Sequence, residues 1–301
     1  MESNFKSGFV AIVGRPNVGK STLLNSLMGE KIAIITNKPQ TTRNIVRGII
    51  TTNDTQIIFI DTPGMHRAKD KLSENMVKMA ENSIRDADVV LFITSPTEKG
   101  NVHPGDADIL AHLATSKTTK FLVINKIDTI DKGLILPITA AYNDICAFDE
   151  SLPISAMKGE NLLDLRETIE KYLPTGPKFF PDGMMTDASD AFIIAEMIRE
   201  KALYMLSEEI PHGIAVEITS LKKRDDADII DIEATIYCEK NSHKGIIIGK
   251  GGAMLKEIGT RARRDIQRLY AEKINLKTWV KIKENWRDSD FFMRNFGFKQ
   301  D

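Results

Sequence analysis

Short apolar runs alternate with longer amphipathic stretches over the first 173 or so residues of the chain. The apolar runs are Phe9 to Val13, Ile45 to Thr51, Gln56 to Ile60, Val89 to Thr94, Phe121 to Ile124 and Leu152 to Ile154. This rhythm predicts strands of a mostly parallel sheet with helices on both faces. It stops after Leu173, where Pro174, Thr175, Gly176 and Pro177 are followed by Pro181, Asp182 and Gly183, a cluster that neither a helix nor a central strand tolerates. Beyond it Ile194, Ala195, Ile198, Ala202 and Met205 recur at helical spacing. Two alternating strand-like runs follow, Ile214 to Leu221 and Ile229 to Tyr237, then a glycine loop and a long basic helix. The pattern predicts an α/β domain over 1–174, a linker over 175–184 and a smaller α+β domain over 185–301.

Composition narrows this picture. With 42% hydrophobic and 28% charged residues in 301, the chain can fill two cores and stay soluble. The 41 basic and 42 acidic side chains cancel, so any attraction to nucleic acid has to be local. Its longest apolar runs fall far short of the roughly 20 residues that cross a bilayer, and Phe9 to Val13 is too short for a signal-peptide core, so a cytoplasmic protein is expected. Cys146 and Cys238 stand far apart and without partners at metal-ligand spacing, which supports neither a disulfide framework nor a zinc site.

Gly14, Arg15, Pro16, Asn17, Val18, Gly19, Lys20 and Ser21, with Thr22 after them, spell GxxxxGK[ST] between the first strand and a helix beginning near Lys20. Glycines let such a loop curl so that successive main-chain N–H groups and the helix N-terminus converge on phosphates. Lys20 then neutralises the β and γ phosphates, and the Ser21 hydroxyl is one ligand of Mg²⁺. The buried run Ile57 to Ile60 ends in Asp61, Thr62, Pro63 and Gly64, which places a carboxylate for Mg²⁺ and a main-chain N–H for the γ phosphate beside that loop.

The base is read elsewhere. Asn125, Lys126 and Asp128 follow the strand Phe121 to Ile124 at the ligand-binding edge of the sheet. A carboxylate there accepts from both N1–H and the 2-amino group of guanine, whereas adenine offers neither donor and would leave Asp128 desolvated and unpaired. Asn125 either braces the loop or touches the base, the Lys126 stem covers a ring face, and Ser155, Ala156 and Met157 can supply a main-chain donor to the guanine oxygen.

Together with Thr42, these segments resemble the five guanine-nucleotide motifs of the translation-factor-related GTPases. Lys38, Pro39, Gln40, Thr41, Thr42 and Arg43 are similar to the first switch region of the Era family. The resemblance implies GTP and GDP as ligands and Thr42, ahead of Thr41, as a further Mg²⁺ ligand beside Ser21 and Asp61. Lys20, Thr42 and Gly64 are the expected catalytic groups. Met65 stands where Ras-like enzymes carry a water-orienting glutamine, so unaided turnover is expected to be slow. His66 as a base and Arg43 as a charge stabiliser are the candidates to compensate.

Between Lys240 and Lys283 there are twelve basic and three acidic residues. Leu255, Ile258, Ala262, Ile266 and Leu269 form one helix face, and Arg261, Arg264 and Arg268 fall on another. Before this helix, Gly249, Lys250, Gly251 and Gly252 form a GxxG loop of the kind with which KH domains clamp about four nucleotides, Lys250 meeting a phosphate and Lys256 and the three arginines extending the basic surface. The order helix, strand, strand, helix, GxxG, helix, strand resembles the KH domain of the Era family, so the resemblance spans essentially the whole chain. It implies single-stranded RNA binding near the 3′ end of small-subunit ribosomal RNA, a role in small ribosomal subunit assembly, and loose association with the inner face of the plasma membrane; a monomer without DNA binding is expected. The aromatic tail, Trp286, Phe291, Phe292, Phe296 and Phe298, is expected to cap the small domain's core.

Overall fold

The computed structural model describes residues 4–36, 38, 41–65, 70–97, 100–207, 210–296 and 298. Pro39, Gln40 and His66 lie outside them. Two compact units divide the chain: Met1–Ala33, Thr42–Ala68 and Met76–Asp187 form one, and Ile34–Thr41, Lys69–Asn75 and Ala188–Asp301 form the other.

The first unit is built on six strands: β1 (Lys6–Val13), β2 (Val46–Thr51), β3 (Thr55–Asp61), β4 (Val89–Thr94), β5 (Thr119–Ile124) and β6 (Glu150–Pro153), in the order β2-β3-β1-β4-β5-β6. All neighbours pair in parallel except β2 and β3, which form an antiparallel edge joined by a short turn. β3 and β4 are buried along their entire length, which is why they read as continuous apolar runs. Between the strands lie α1 (Lys20–Met28), α2 (Lys71–Asp86), α3 (Ala107–Thr115), α4 (Ile135–Asn143) and α5 (Leu162–Tyr172). One sheet face packs Ala11, Val13, Val90, Phe92, Leu122 and Ile124 against α3 and α4. On the other, Phe121 meets Tyr172 of α5 edge-on, with ring centroids 5.0 Å apart.

The proline- and glycine-rich stretch is tied along this unit. Gln56 donates to the Phe180 carbonyl at 2.9 Å and accepts from Phe179 and Phe180 N–H at 2.7 and 3.0 Å, and Ser7 donates to the Pro177 carbonyl at 2.6 Å.

The second unit runs α6 (Asp190–Met205), β7 (Ala215–Lys223), β8 (Ile229–Cys238), α7 (Asn241–Ile248), α8 (Ala253–Tyr270), β9 (Lys273–Ile282) and the short α9 (Asp290–Asn295). β7 and β8 pair antiparallel, β8 and β9 parallel. Buried residues of α6, α7 and α8 share one core with alternate residues of all three strands. The aromatic tail closes that unit: Trp286 is fully buried, donates from Nε1 to the Gly213 carbonyl at 3.0 Å, and stacks with Phe298 at 5.6 Å between centroids. Ile34 also belongs to this core, and the segment from Ile34 to Thr41 is held by α6: Glu200 accepts from Ile35 N–H at 3.1 Å, and the fully buried Arg199 donates to the Thr41 carbonyl. Both cysteines are buried as free thiols. Among the described residues no helix is long and apolar enough to cross a membrane.

Candidate functional site

The loop between β1 and α1 owes its shape to positions where a side chain is excluded. Gly19 has φ +102°, and a Cβ there would stand 2.3 Å from Asn125 Nδ2; a Cβ on Gly14 would stand 2.3 Å from the Ile93 carbonyl oxygen. Asn17 takes φ 65°, a left-handed conformation that asparagine accepts more readily than most residues. Val18 is fully buried, so it offers the site its main chain, and Pro16 lies against Gly64, where a Cβ would come within 3.0 Å of the proline ring. Ser21 and Thr22 begin α1. Lys20 is buried beneath the loop and donates from Nζ to the Gly14 and Arg15 carbonyls at 3.1 Å each. Burial pushes its pKa down to about 8, with Asp61 opposing that shift.

Three oxygen-bearing side chains from separate segments converge above Lys20. Ser21 Oγ donates to Asp61 Oδ2 at 2.7 Å, Thr42 Oγ1 lies 2.9 Å from Ser21 Oγ, and Thr42 also reaches Asp61 Oδ2 at 3.3 Å. Asp61 is fully buried, and its Oδ1 accepts no hydrogen bond from the described residues. Burial raises its pKa to about 6, against the lowering effects of Lys20, Ser21 and Thr42. A buried carboxylate oxygen without a donor, next to two hydroxyls, suits a hard divalent cation, which prefers a few oxygen ligands and completes its shell with water and phosphate. Thr41 is not among these groups: its hydroxyl is engaged by Thr36 and the Lys38 carbonyl, both at 2.6 Å. Thr62 is buried and donates to the Ile12 carbonyl at 2.8 Å, and Pro63 is buried beside it, so both shape the turn that presents Gly64. Met65 packs against the core beneath α3 and α4, and Arg43 is fully buried.

The segments expected to read the base are braced to the same loop. Asn125 donates to the Val18 carbonyl at 2.8 Å and accepts from Ala156 N–H at 2.9 Å, so it acts as the brace of the two roles open to it. Lys126, at φ 65°, reaches the Asn17 carbonyl with Nζ at 2.7 Å, which lays its stem over the space beside the loop. Asp128 is exposed and accepts from the buried Ser155 hydroxyl at 2.7 Å. Asn125 engages Ala156 N–H and the Ser155 hydroxyl accepts from Lys158 N–H at 3.2 Å, while the Met157 side chain is exposed.

One group is invisible in the sequence. Arg15 leaves the phosphate loop sideways to donate to Asp106 Oδ2 at 2.6 Å, Thr94 Oγ1 at 2.8 Å and the Ser95 carbonyl at 2.9 Å. Asp106 is fully buried and also accepts from Thr94 at 2.8 Å and the Tyr142 hydroxyl at 2.7 Å. Arg15 thus anchors the loop to the end of β4 and to Asp106, with both terminal nitrogens of its guanidinium engaged by protein groups.

In the second unit the GxxG loop joins α7 to α8. Gly249 has φ +72°, and a Cβ there would meet Met254 Cβ at 2.7 Å; Gly251 at +59° and Gly252 at +80° face open space. Their bare main chain and the exposed Lys250 let an extended anion approach closely. Ile258, Ala262 and Ile266 bury the core face of α8, while Lys256, Arg264 and Arg268 are exposed. Lys256 stands one turn from the loop. Arg261, Arg264 and Arg268 lie roughly 13, 18 and 24 Å farther along the helix axis from Gly252, at ~1.5 Å per residue. Arg261 is paired with Glu257 at 2.8 Å, and Arg268 lies 3.9 Å from Asp265. The loop and Lys256 therefore form one group, and the arginines trail away from it.

Residues 9–126 match the family model described as a 50S ribosome-binding GTPase, and residues 209–287 match that of a KH domain. The chain is 52% identical over 295 residues to GTPase Era of Clostridioides difficile strain 630, covering 98% of this chain and 99% of that one. It is 51% identical over 297 residues to GTPase Era of Clostridium tetani strain Massachusetts / E88, covering 98% and 100%. Among solved structures it is similar, at TM-score 0.94 and 41% identity over 98% of its length and 100% of the other's, to Era in complex with MgGDPNP and nucleotides 1506–1542 of 16S ribosomal RNA. A variant of Aquifex aeolicus Era bound to GDP and AlF4⁻ matches with the same score, identity and coverage. Identity of this order along the entire chain, with both units matched in order, means that the chain belongs to the Era family of GTPases.

Proposed function

We propose that this protein is a GTP-hydrolysing switch that binds single-stranded RNA at the 3′ end of small-subunit ribosomal RNA through its KH unit and assists assembly of the small ribosomal subunit. The convergence of Ser21, Thr42 and Asp61, with Asp61 Oδ1 lacking a donor among the described residues, carries the nucleotide half of this reading. Lys20 and the main-chain N–H groups of the loop and of the first turn of α1 hold the β and γ phosphates, and Gly64 N–H meets the γ phosphate. Ser21, Thr42 and Asp61 would hold Mg²⁺, which would supply positive charge against the phosphate oxygens during transfer. Asp128 selects guanine, and the turn Ser155 to Met157 supplies a main-chain donor to its carbonyl oxygen.

Met65, at the place of the water-orienting glutamine of Ras-like enzymes, packs against the core. Unaided turnover is therefore on the order of the intrinsic Ras rate, roughly 3–5 × 10⁻⁴ s⁻¹, or modestly above it. The RNA half is supported by the bare GxxG loop with Lys250 and Lys256, and by the complex in which a relative with TM-score 0.94 holds a 16S ribosomal RNA segment. Regulation of one activity by the other is supported by Thr41 and Thr42: Arg199 of the KH unit holds the first, and the second sits with the Mg²⁺ ligands. Single-turnover hydrolysis of GTP with and without a ribosomal RNA 3′-end fragment tests this reading. Turnover that Mg²⁺ does not accelerate, or RNA that the protein does not bind, would refute it.

A further inference from the structure

Strand β9 alternates strictly. Ile274 and Val280 are buried in the core with α6 and α8, Leu276 and Ile282 pack against it, and Thr278 lies nearest Gly259 of α8. Lys273, Asn275, Lys277, Trp279 and Lys281 therefore occupy the opposite face of the three-stranded sheet. The C-terminal tail covers one end of this face, where Phe296 lies 4.8 Å from Tyr237 between ring centroids. Towards the other end is an open groove of about 390 Å³ lined by Ser220, Lys222, Arg224, Asp231, Asn275 and Lys277.

Trp279 stands between these ends with 43% of its surface exposed. The chain has two tryptophans, and the other, Trp286, is fully buried. A large indole open on a sheet face offers a flat surface on which a base can stack. Lys277 and Lys281 flank it on the same face, each about 7 Å along the strand. The carboxylates of this face are already engaged: Asp231 by Arg224 at 2.6 and 2.8 Å and by Asn275 at 2.6 Å, Glu217 by the Tyr237 hydroxyl at 2.7 Å, and Glu233 with Lys277 at 4.0 Å. Lys222, Lys273 and Lys281 remain as exposed positive charge.

We propose that this sheet face is a second contact for single-stranded RNA, with Trp279 stacking on a base and Lys277 and Lys281 meeting the flanking phosphates. It rests on the reading of the KH unit as an RNA clamp, and it extends the bound strand beyond the four nucleotides that a GxxG loop holds. One ring among lysines is the composition of a base-stacking platform; a protein-docking patch would be depleted in lysine and broader in apolar area.

The test uses the full-length protein loaded with a non-hydrolysable GTP analogue, a four-nucleotide RNA and a longer single strand that contains it. The longer RNA quenches the fluorescence of Trp279, which is the exposed tryptophan. Trp279→Ala weakens the longer RNA about tenfold while leaving the short one unchanged, and Trp279→Phe retains most of the affinity. Removing Lys277 and Lys281 together lowers the slope of log K against log salt by about 1.4, the contribution of two single-strand phosphates. Lys250→Glu separates the two claims: it weakens both RNAs if the clamp reading holds, and normal binding by it sinks the clamp regardless of Trp279. Unchanged affinity of Trp279→Ala for the longer RNA, without quenching in the wild type, would overturn the second contact and turn this face over to a protein partner.

Discussion

Replacing Asp128 by Asn exchanges one carboxylate oxygen for an amide NH₂ and inverts the pattern that the base meets. Asp128 Oδ1 accepts the Ser155 hydroxyl at 2.7 Å, a bond the asparagine carbonyl oxygen can still make, so the turn around Ser155 keeps its support. What changes is the other half of the group: an acceptor for guanine N1–H and the 2-amino group becomes an amide that carries donors of its own. Each hydrogen bond to a charged group contributes about 1.5–3 kcal/mol, so losing two costs about 3–6 kcal/mol, or roughly 10²- to 10⁴-fold in affinity. Xanthine presents a carbonyl where guanine presents the amine, so the variant should gain xanthosine triphosphate as it loses GTP. Titration with fluorescent guanosine and xanthosine nucleotides measures both constants, and an unchanged melting temperature shows that the fold persists. A variant that binds GTP within threefold of the wild type, with no gain for the xanthine nucleotide, would refute the assignment of Asp128 to the base.

Gly19→Ala puts a Cβ at φ +102° and 2.3 Å from Asn125 Nδ2, so it should abolish measurable GTP binding while unfolding the protein little; calorimetry with GTP and a thermal melt check the two halves separately. Burial holds the Asp61 carboxyl up at about 6, so protonation competes with Mg²⁺ below that pH, and Mg²⁺ affinity should fall by up to tenfold for each further pH unit. The sign for stability is the reverse: the folded chain holds this proton more tightly than the unfolded one, so metal-free protein loses the contribution between pH 3.8 and about 6 as Mg²⁺ affinity rises. Mg²⁺ titrations of the analogue complex from pH 5 to 7.5 read this out, and Asp61→Asn should remove the pH dependence along with the metal. Lys250→Glu places a negative charge at the exposed tip of the GxxG loop and should weaken short RNA oligonucleotides at least tenfold without altering GTP affinity, which a filter-binding assay for each ligand decides.

The parts of this structure that were legible in the sequence are those in which neighbours along the chain do the work. β3 and β4 are buried on both faces and announce themselves as apolar runs, and the phosphate loop is contiguous, so Gly14 to Ser21 could be assigned before any fold was known. GxxG read the same way, because α7 and α8 adjoin it directly. The antiparallel pairing of β2 with β3 was not legible, since an alternating run carries no direction. Nor was the anchoring of Arg15, because Thr94 and Asp106 lie 79 and 91 positions away and Asp106 sits in a His-Pro-Gly-Asp turn that looks like surface loop. The choice of Thr42 over Thr41 rested on resemblance in the sequence; in the structure it rests on Thr41 being turned to Thr36 and Lys38 while Thr42 meets Ser21. Arg199 and Glu200 gave no sign of their role, since the segments they hold are 158 and 165 positions away.

Thr41, held by Arg199 of α6, and Thr42, beside Ser21 and Asp61, are consecutive in the chain, and the proposed coupling of nucleotide state to RNA binding is the central claim. It is tested most directly by the affinity for a ribosomal RNA 3′-end fragment of the protein loaded with GDP and, separately, with a non-hydrolysable GTP analogue, in the wild type and in Arg199→Ala. Coupling predicts affinities that differ at least tenfold between the two nucleotide states and converge in the variant. Equal affinity in both states of the wild type would contradict it and reduce the GTPase unit to a tether for the RNA-binding one.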